Sequence, residues 1–241
     1  MTHMLAIVIP IFNEEENILP LVEEIEAAIC PLNISWELIF VNDGSTDKSK
    51  MILEDLAGQK NNIKVIHFKK NAGQTAAFDA GFAQANSTYV ATLDGDRQNN
   101  PSDIPALLKM AQTDGWDLVA GKRRKREDSE VKKIISRFGN YFRQKALQDG
   151  ISDTGCSLKI FKLTSLRKIK LYKGMHRFLP ALFLIEGFRV KEALVDHRPR
   201  YRGTSKYNFF SRGFALVWDL VAVCWMKKRK LTYEVERITN P

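Results

Sequence analysis

Two carboxylates separated by a single glycine, Asp94 and Asp96 in the run LDGDRQ, follow directly on an apolar stretch at residues 89–93. Just past the end of a buried strand, alternate side chains of a turn aim at one point, and paired carboxylates there suit a hard divalent cation. Gln98 adds a third oxygen, directly or through water, and the set is matched to Mg²⁺ or Mn²⁺ carrying a diphosphate. The same residues also compose a plain turn, which Asp and Gly favour on their own account.

Two other polar runs are candidates for the ligand of that cation. In VNDGSTD, Asp43 can accept hydrogen bonds from a base or ribose, and the amides that follow Gly44 and Ser45 at the next helix start can face an anion. Helix capping is the alternative use of those residues. In KKNAGQTAAFDAG, Lys70, Asn71, Gly73 and Gln74 stand at a helix start, but neither G-x-x-x-x-G-K-[ST] nor G-x-G-x-x-G is present, which disfavours those two phosphate-loop classes. His176 and His197 have no partner spacing that points to nucleophilic or acid–base work and read as structural or surface residues.

The elements that must position these residues are legible in the hydrophobic pattern. Apolar runs at residues 5–10, 37–41, 63–68, 89–93 and 118–120 are continuous rather than alternating, the mark of strands buried on both faces. Between the first two, Ile18, Leu21, Val22, Ile25 and Ile29 share one helical face, with Asn17 at the N-cap and Pro20 confined to the first turn. A second helix is expected from Ser45 or Thr46, carrying Met51, Ile52 and Leu56 inward, and a third over residues 74–85. The expected fold is α/β, a Rossmann-like, mostly parallel open sheet with helices on both faces. In such sheets ligands lie beyond the carboxyl ends of the strands, which brings residues 12–14, 42–45, 69–74 and 94–98 to one crevice.

Beyond Gly121 the run KRRKREDSEVKK reads as a mobile basic loop, followed by a helix with Val131, Ile134, Ile135, Phe138 and Phe142 on one face. A strand at residues 158–161, a helix at 178–185 and a strand at 189–195 come next. The stretch FFSRGFALVWDLVAVCWM contains Arg212 and Asp219 and runs into Lys227, Lys228, Arg229 and Lys230, so it is marginal as a membrane span. It fits an amphipathic helix on a membrane surface, with an ordinary helix packed on the core as the alternative. The expected division is a catalytic domain at 1–208 and an interfacial helix with a basic tail at 209–241.

Taken together and in order, IVIPIFNEEENI, VNDGSTD, NAGQTAAFDAG, LDGDRQNNP and SDTGCSLKIF resemble the family 2 glycosyltransferases, and within them the dolichyl or polyprenyl phosphate sugar synthases. The resemblance spans residues 5–208, and five ordered motifs are far more specific than any one. It implies a GT-A fold in which Pro10, Phe12, Asn13 and Glu14 border the nucleotide, Asp43 contacts base or ribose, Gly73 lies beneath the base, and Asp94, Asp96 and Gln98 hold the metal. Lys122, Arg123, Lys132 and Ser136 lie near the family's phosphate-binding positions, several family arginines being lysines here. HRPRYRGTSKYN is similar to the family's R-x-x-G-x-S-K loop, which makes Arg202, Ser205 and Lys206 candidates to close over the diphosphate and acceptor phosphate, against the alternative of a solvated basic loop. Asp153 and Gly155 match a site near the sugar, although an Asx turn looks the same.

The implied reaction is an inverting transfer from a UDP- or GDP-linked sugar to a polyprenyl phosphate, with a glycan hydroxyl as the alternative acceptor. A nucleic-acid-binding module is disfavoured: 37 Lys and Arg against 28 Asp and Glu give a charge of +9, but no nucleic-acid motif accompanies it. Three cysteines without a C-x-x-C pair suggest neither a disulfide framework nor a zinc cluster. With no secretory h-region at the N-terminus, the expected location is the cytoplasmic face of a membrane, with a homo-oligomer or a membrane-protein partner open.

Overall fold

The computed structural model describes residues 2–124, 143–199, 209–233 and 236–237, the side chains of residues 209–216 excepted. Lys132, Ser136, Arg202, Ser205 and Lys206, together with the expected basic loop from residue 125 on and the helix after it, lie outside the described residues; the first two residues of that expected loop, Lys122 and Arg123, end a strand instead.

Seven strands form one sheet in the order β3-β2-β1-β4-β6-β5-β7. They are β1 (His3–Ile11), β2 (Trp36–Asn42), β3 (Ile63–His67), β4 (Ser87–Thr92), β5 (Leu118–Arg123), β6 (Lys159–Lys162) and β7 (Val190–Val195). All pairs are parallel except those of β6, which runs antiparallel between β4 and β5. The helices that matter here are α1 (Ile18–Ile29), α2 (Ser49–Gln59), α3 (Gln74–Gln84), α4 (Ile104–Asp114), α5 (Leu163–Leu166), α6 (Leu179–Ile185) and α7 (Phe209–Arg229).

The continuous apolar character of β1 follows from burial on both sides. Leu5, Ile7, Ile9 and Ile11 join the cluster made with α1, α2 and α4, while Ala6 and Val8 join the one made with α3, α5 and α6. Each fully buried aliphatic side chain contributes about 1.5–3 kcal/mol. The chain leaves β1 for β2 on one side and returns through α3 to β4 on the other. Two loops therefore diverge between the carboxyl ends of β1 and β4, opening a crevice there.

Helix α2 starts at Ser49, later than expected, and buries Ser49, Leu53 and Leu56 while Met51 is exposed. The delay has a visible cause: side-chain oxygens hold residues 45–48 in a capping turn, with Ser45 N donating to Asn42, Thr46 N to Asn13 and Lys48 N to Glu15. Leu56 lies inward as expected and Ile52 packs against the same cluster, with Leu53 joining them.

Helix α7 packs on α6 through Val223, which lies among Leu147, Phe178 and Leu182. Its other side presents Val217, Trp218, Val221 and Trp225 to solvent. No helix among the described residues is long and apolar enough to cross a membrane.

Candidate active site

The residues after β1, β2 and β4 meet at a cavity of about 440 Å³ over the crevice. Pro10, Phe12, Glu14, Asp43, Gln74, Asp94, Asp96, Gln98, Arg123 and Gly155 line it, ten of the residues singled out in the sequence. A second cavity of about 820 Å³ adjoins it, sharing Phe12, Gln74, His176 and Arg177, and is bordered by Gly73, Tyr172 and Asp219 of α7.

Asp94 stands at the centre. Its Oδ1 accepts from Gln74 Nε2 at 2.7 Å, its Oδ2 accepts from the Ser157 hydroxyl, and its backbone amide donates to Asn99 Oδ1 at 3.2 Å. Asp96 Oδ1 accepts from the amide of Gln98 at 3.1 Å, an Asx turn made possible by Arg97 in the left-handed region at φ 61°. That conformation costs a non-glycine residue free energy. It is held by Glu24 of α1, whose Oε1 accepts from Arg97 Nε at 3.1 Å and whose Oε2 accepts from Arg198 at 2.8 Å. The Gln98 side chain turns toward the Arg198 carbonyl at 3.5 Å.

The second polar run serves the scaffold. Asp43 accepts from the amides of Ala72 at 2.6 Å and Gly73 at 2.9 Å, tying the loop before α3 to the end of β2. Gly44, at φ 72°, touches that loop so closely that a Cβ would stand 2.6 Å from Asn71 N. Ser45 Oγ accepts from Asn13 N, and Asn13 Oδ1 accepts from Thr46 N. The amides at the start of α2 are thus engaged by protein side chains rather than exposed to an anion, a correction to the sequence reading. Asn13, Gly44 and Ser45 line neither cavity, and Lys70 and Lys122 are exposed and likewise outside both. For Lys122 the reason is strand alternation: Gly121 and Arg123 point to the other face of β5.

Asp153 and Arg123 occupy one another. Arg123 Nε and Nη2 donate to the two carboxylate oxygens at 2.7 and 2.8 Å, and Arg123 N donates to Oδ2 at 3.2 Å. Arg123 faces the cavity, whereas Asp153 lies behind it.

Several lining residues carried little or no signal in the sequence. Ser157 and Lys159 sit inside SDTGCSLKIF yet stood out only once folded. Lys159 is 4% exposed, its Nζ donating to the Cys156 carbonyl. Burial lowers its pKa, opposed by the nearby Cys156, Asp153 and Asp94. Burial also pushes the Cys156 thiol up to about 11. His176, read as structural, lines both cavities, with its Nδ1 at 2.7 Å from Thr75 Oγ1 and Arg177 beside it.

The cavity lining therefore combines acidic residues, among them Glu14, Asp94 and Asp96, with the basic residues Arg123, Lys159 and Arg177. Among the described residues no cluster of three His, Cys, Asp or Glu side chains could hold a metal unaided. Mg²⁺ commonly takes one or two carboxylates plus substrate phosphate oxygens. Asp94 and Asp96, both oriented by hydrogen bonds, fit a cation that arrives with a diphosphate.

The glycosyl transferase family 2 model matches residues 6–170. The chain belongs to this family. Among similar family 2 proteins, the dodecaprenyl-phosphate galacturonate synthase of Rhizobium johnstonii is 38% identical over 230 residues, covering 94% of this chain and 68% of the relative. The undecaprenyl-phosphate 4-deoxy-4-formamido-L-arabinose transferase of Pseudomonas fluorescens is 36% identical over 222 residues, covering 91% and 64%. The chain spans about two thirds of the length of these relatives. The glucosyl-3-phosphoglycerate synthase of Mycobacterium tuberculosis, solved with Mn²⁺, UDP and phosphoglyceric acid, superposes with a TM-score of 0.71 over 92% of this chain and 78% of its own. At 17% identity that likeness is one of fold, the GT-A architecture expected from the motifs.

Proposed function

We propose that this family 2 chain is an inverting, divalent-metal-dependent glycosyltransferase that moves a sugar from a nucleoside diphosphate to a polyprenyl phosphate. The observation that carries the reading is the pair Asp94 and Asp96, oriented at the carboxyl end of β4 in a cavity that is also lined by Arg123, Lys159 and Arg177. The names of the relatives supply the acceptor class.

On this reading Asp94 and Asp96, with Gln98, hold Mg²⁺ or Mn²⁺. A cation bound there would supply positive charge against the negative charge growing on the departing diphosphate. Pro10, Phe12 and Gly73 flank the nucleoside, and Asp43 fixes the loop beneath it. Gln74 and Ser157 keep the Asp94 carboxylate aimed. The acceptor phosphate is already an anion at neutral pH, so it needs positioning rather than a general base. Arg177 and Lys159, with Lys132, Arg202 and Lys206 from outside the described residues, supply the positive field that positions it, and the hydroxyls of Ser136 and Ser205, also outside them, are hydrogen-bond donors for its oxygens. Attack of a phosphate oxygen on C1 forms the new C1–O bond as the bond to the nucleoside diphosphate breaks, inverting the anomeric centre.

The acceptor's chain requires access from a membrane. The exposed stripe Val217, Trp218, Val221 and Trp225, next to Lys227, Lys228 and Arg229, supports α7 lying on the anionic cytoplasmic surface with its Val223 side against α6. The second cavity, bordered by α7 through Asp219 and sharing Arg177 with the first, is the natural approach for the lipid phosphate.

Transfer of radiolabel from UDP- or GDP-sugars to undecaprenyl phosphate tests the reading directly. Label is expected in the organic phase, and only with Mg²⁺ or Mn²⁺ present. Label that stays aqueous, on a soluble or glycan acceptor, refutes the acceptor assignment.

A further inference from the structure

The segment between residues 148 and 158 has no helix or strand of its own, yet Thr154, Gly155, Cys156 and Ser157 form one wall of the cavity. Something must fix it. Glu192, on strand β7 and outside the cavity lining, places both carboxylate oxygens against the start of this segment. Its Oε1 accepts from the backbone amides of Ser152 at 2.7 Å and Asp153 at 2.9 Å, and its Oε2 accepts from the Ser152 hydroxyl at 2.8 Å. Three hydrogen bonds to one charged acceptor are stronger and more directional than neutral ones.

The next links lead into the cavity. Asp153, held by Glu192, grips Arg123 through both carboxylate oxygens. Gly155 lies so close to that guanidinium that a Cβ would stand 3.1 Å from Arg123 Nη2. Two residues further, Ser157 donates to Asp94. The wall is thus anchored at its two ends, by Glu192 and by Asp94.

We infer that Glu192 is a positioning residue for the sugar–diphosphate part of the donor: it touches no ligand but sets the wall formed by residues 154–157. This rests on the reading of the cavity as a nucleotide-sugar site and adds to it a residue 40 positions away in sequence that nothing in the motif pattern reveals. The nucleoside side, built from Pro10, Phe12, Asp43 and Gly73, shares none of these hydrogen bonds. The inference therefore separates the two halves of the donor.

The test compares affinity for UDP-glucose, UDP-galacturonic acid and GDP-mannose, with Mn²⁺, with affinity for uridine and guanosine, which carry no diphosphate, by isothermal titration. Glu192→Ala is expected to weaken the sugar nucleotide that binds the wild type about tenfold, the usual size of an outer-shell effect, while its free nucleoside stays within about twofold. Glu192→Gln keeps an oxygen for both amides and is expected to restore most of the difference. Should Glu192→Ala not fold, Ser152→Ala removes one of the three bonds and is expected to give a smaller loss of the same selectivity. Equal weakening of both ligand classes, or no weakening in either variant, overturns the inference. A wild-type chain that binds none of the sugar nucleotides overturns the functional reading as well, whereas binding that Glu192→Ala leaves intact overturns this inference alone.

Discussion

The side-chain amide of Gln74 donates to Asp94 Oδ1 at 2.7 Å, joining the first turn of α3 to the end of β4. Ser157 takes the other oxygen, so the carboxylate cannot rotate without losing a partner. Partners of this kind typically account for 10–100-fold in metal affinity. Gln74→Ala and Ser157→Ala are each expected to weaken Mn²⁺ binding in the presence of UDP by roughly that factor, as read by electron paramagnetic resonance titration. Unchanged affinity in both variants contradicts the aiming role.

The Arg123–Asp153 pair is a stability element as well as a wall. Both side chains are largely buried, at 13% and 8% exposure. Removing one partner strands the other charge away from water, at a cost of about 3–5 kcal/mol. Arg123→Ala and Asp153→Ala should each show such a loss in urea unfolding, and the double variant should lose clearly less than the sum. Additive losses contradict the pairing.

The two sides of α7 should separate in experiment. Val223→Ala empties a fully buried site against Leu147, Phe178 and Leu182 and is expected to cost roughly 1–3 kcal/mol. Trp218→Ser and Trp225→Ser change exposed positions, so the melting temperature should hold while sedimentation with phosphatidylglycerol vesicles falls. Vesicle binding unaffected by both tryptophan changes contradicts the interfacial role of that face.

Cysteine labelling probes the cavity wall without substrate. Burial raises the Cys156 thiol to about 11, so at pH 8 roughly a thousandth is thiolate. Cys30 is exposed and should react with iodoacetamide first, with Cys156 labelled only on unfolding or at strongly alkaline pH. Rapid native labelling of Cys156 at pH 8 contradicts its placement.

Much of this arrangement was legible in the sequence because it is local. Strands buried on both faces write themselves as continuous apolar runs, and Asp94 and Asp96 announce themselves by following one. The polar loops at strand ends were correctly brought together by the topology alone. What stayed hidden is non-local: the Arg123–Asp153 and Glu192–Ser152 contacts span 30 and 40 residues, and nothing in either segment names its partner. Asp43 shows another non-local link: it lines the cavity, as its position after β2 leads one to expect, and it also accepts from the backbone amides of Ala72 and Gly73, about thirty residues away. Met51 is expected inward with Ile52 and Leu56 but is exposed, the core taking Leu53 instead. That His176 lines the cavities is invisible in its neighbourhood, since its partners Thr75 and Phe78 lie about a hundred residues away.

The most direct test of the central claim is thermal unfolding with a panel of UDP- and GDP-sugars, each with and without Mn²⁺, for the wild type and Asp96→Ala. A ligand that binds only the folded state raises the melting temperature by mass action. The account predicts that Mn²⁺ enlarges the shift produced by at least one sugar nucleotide in the wild type and adds nothing in Asp96→Ala. A Mn²⁺-dependent shift that survives intact in Asp96→Ala, or a wild type that responds to no sugar nucleotide, contradicts it.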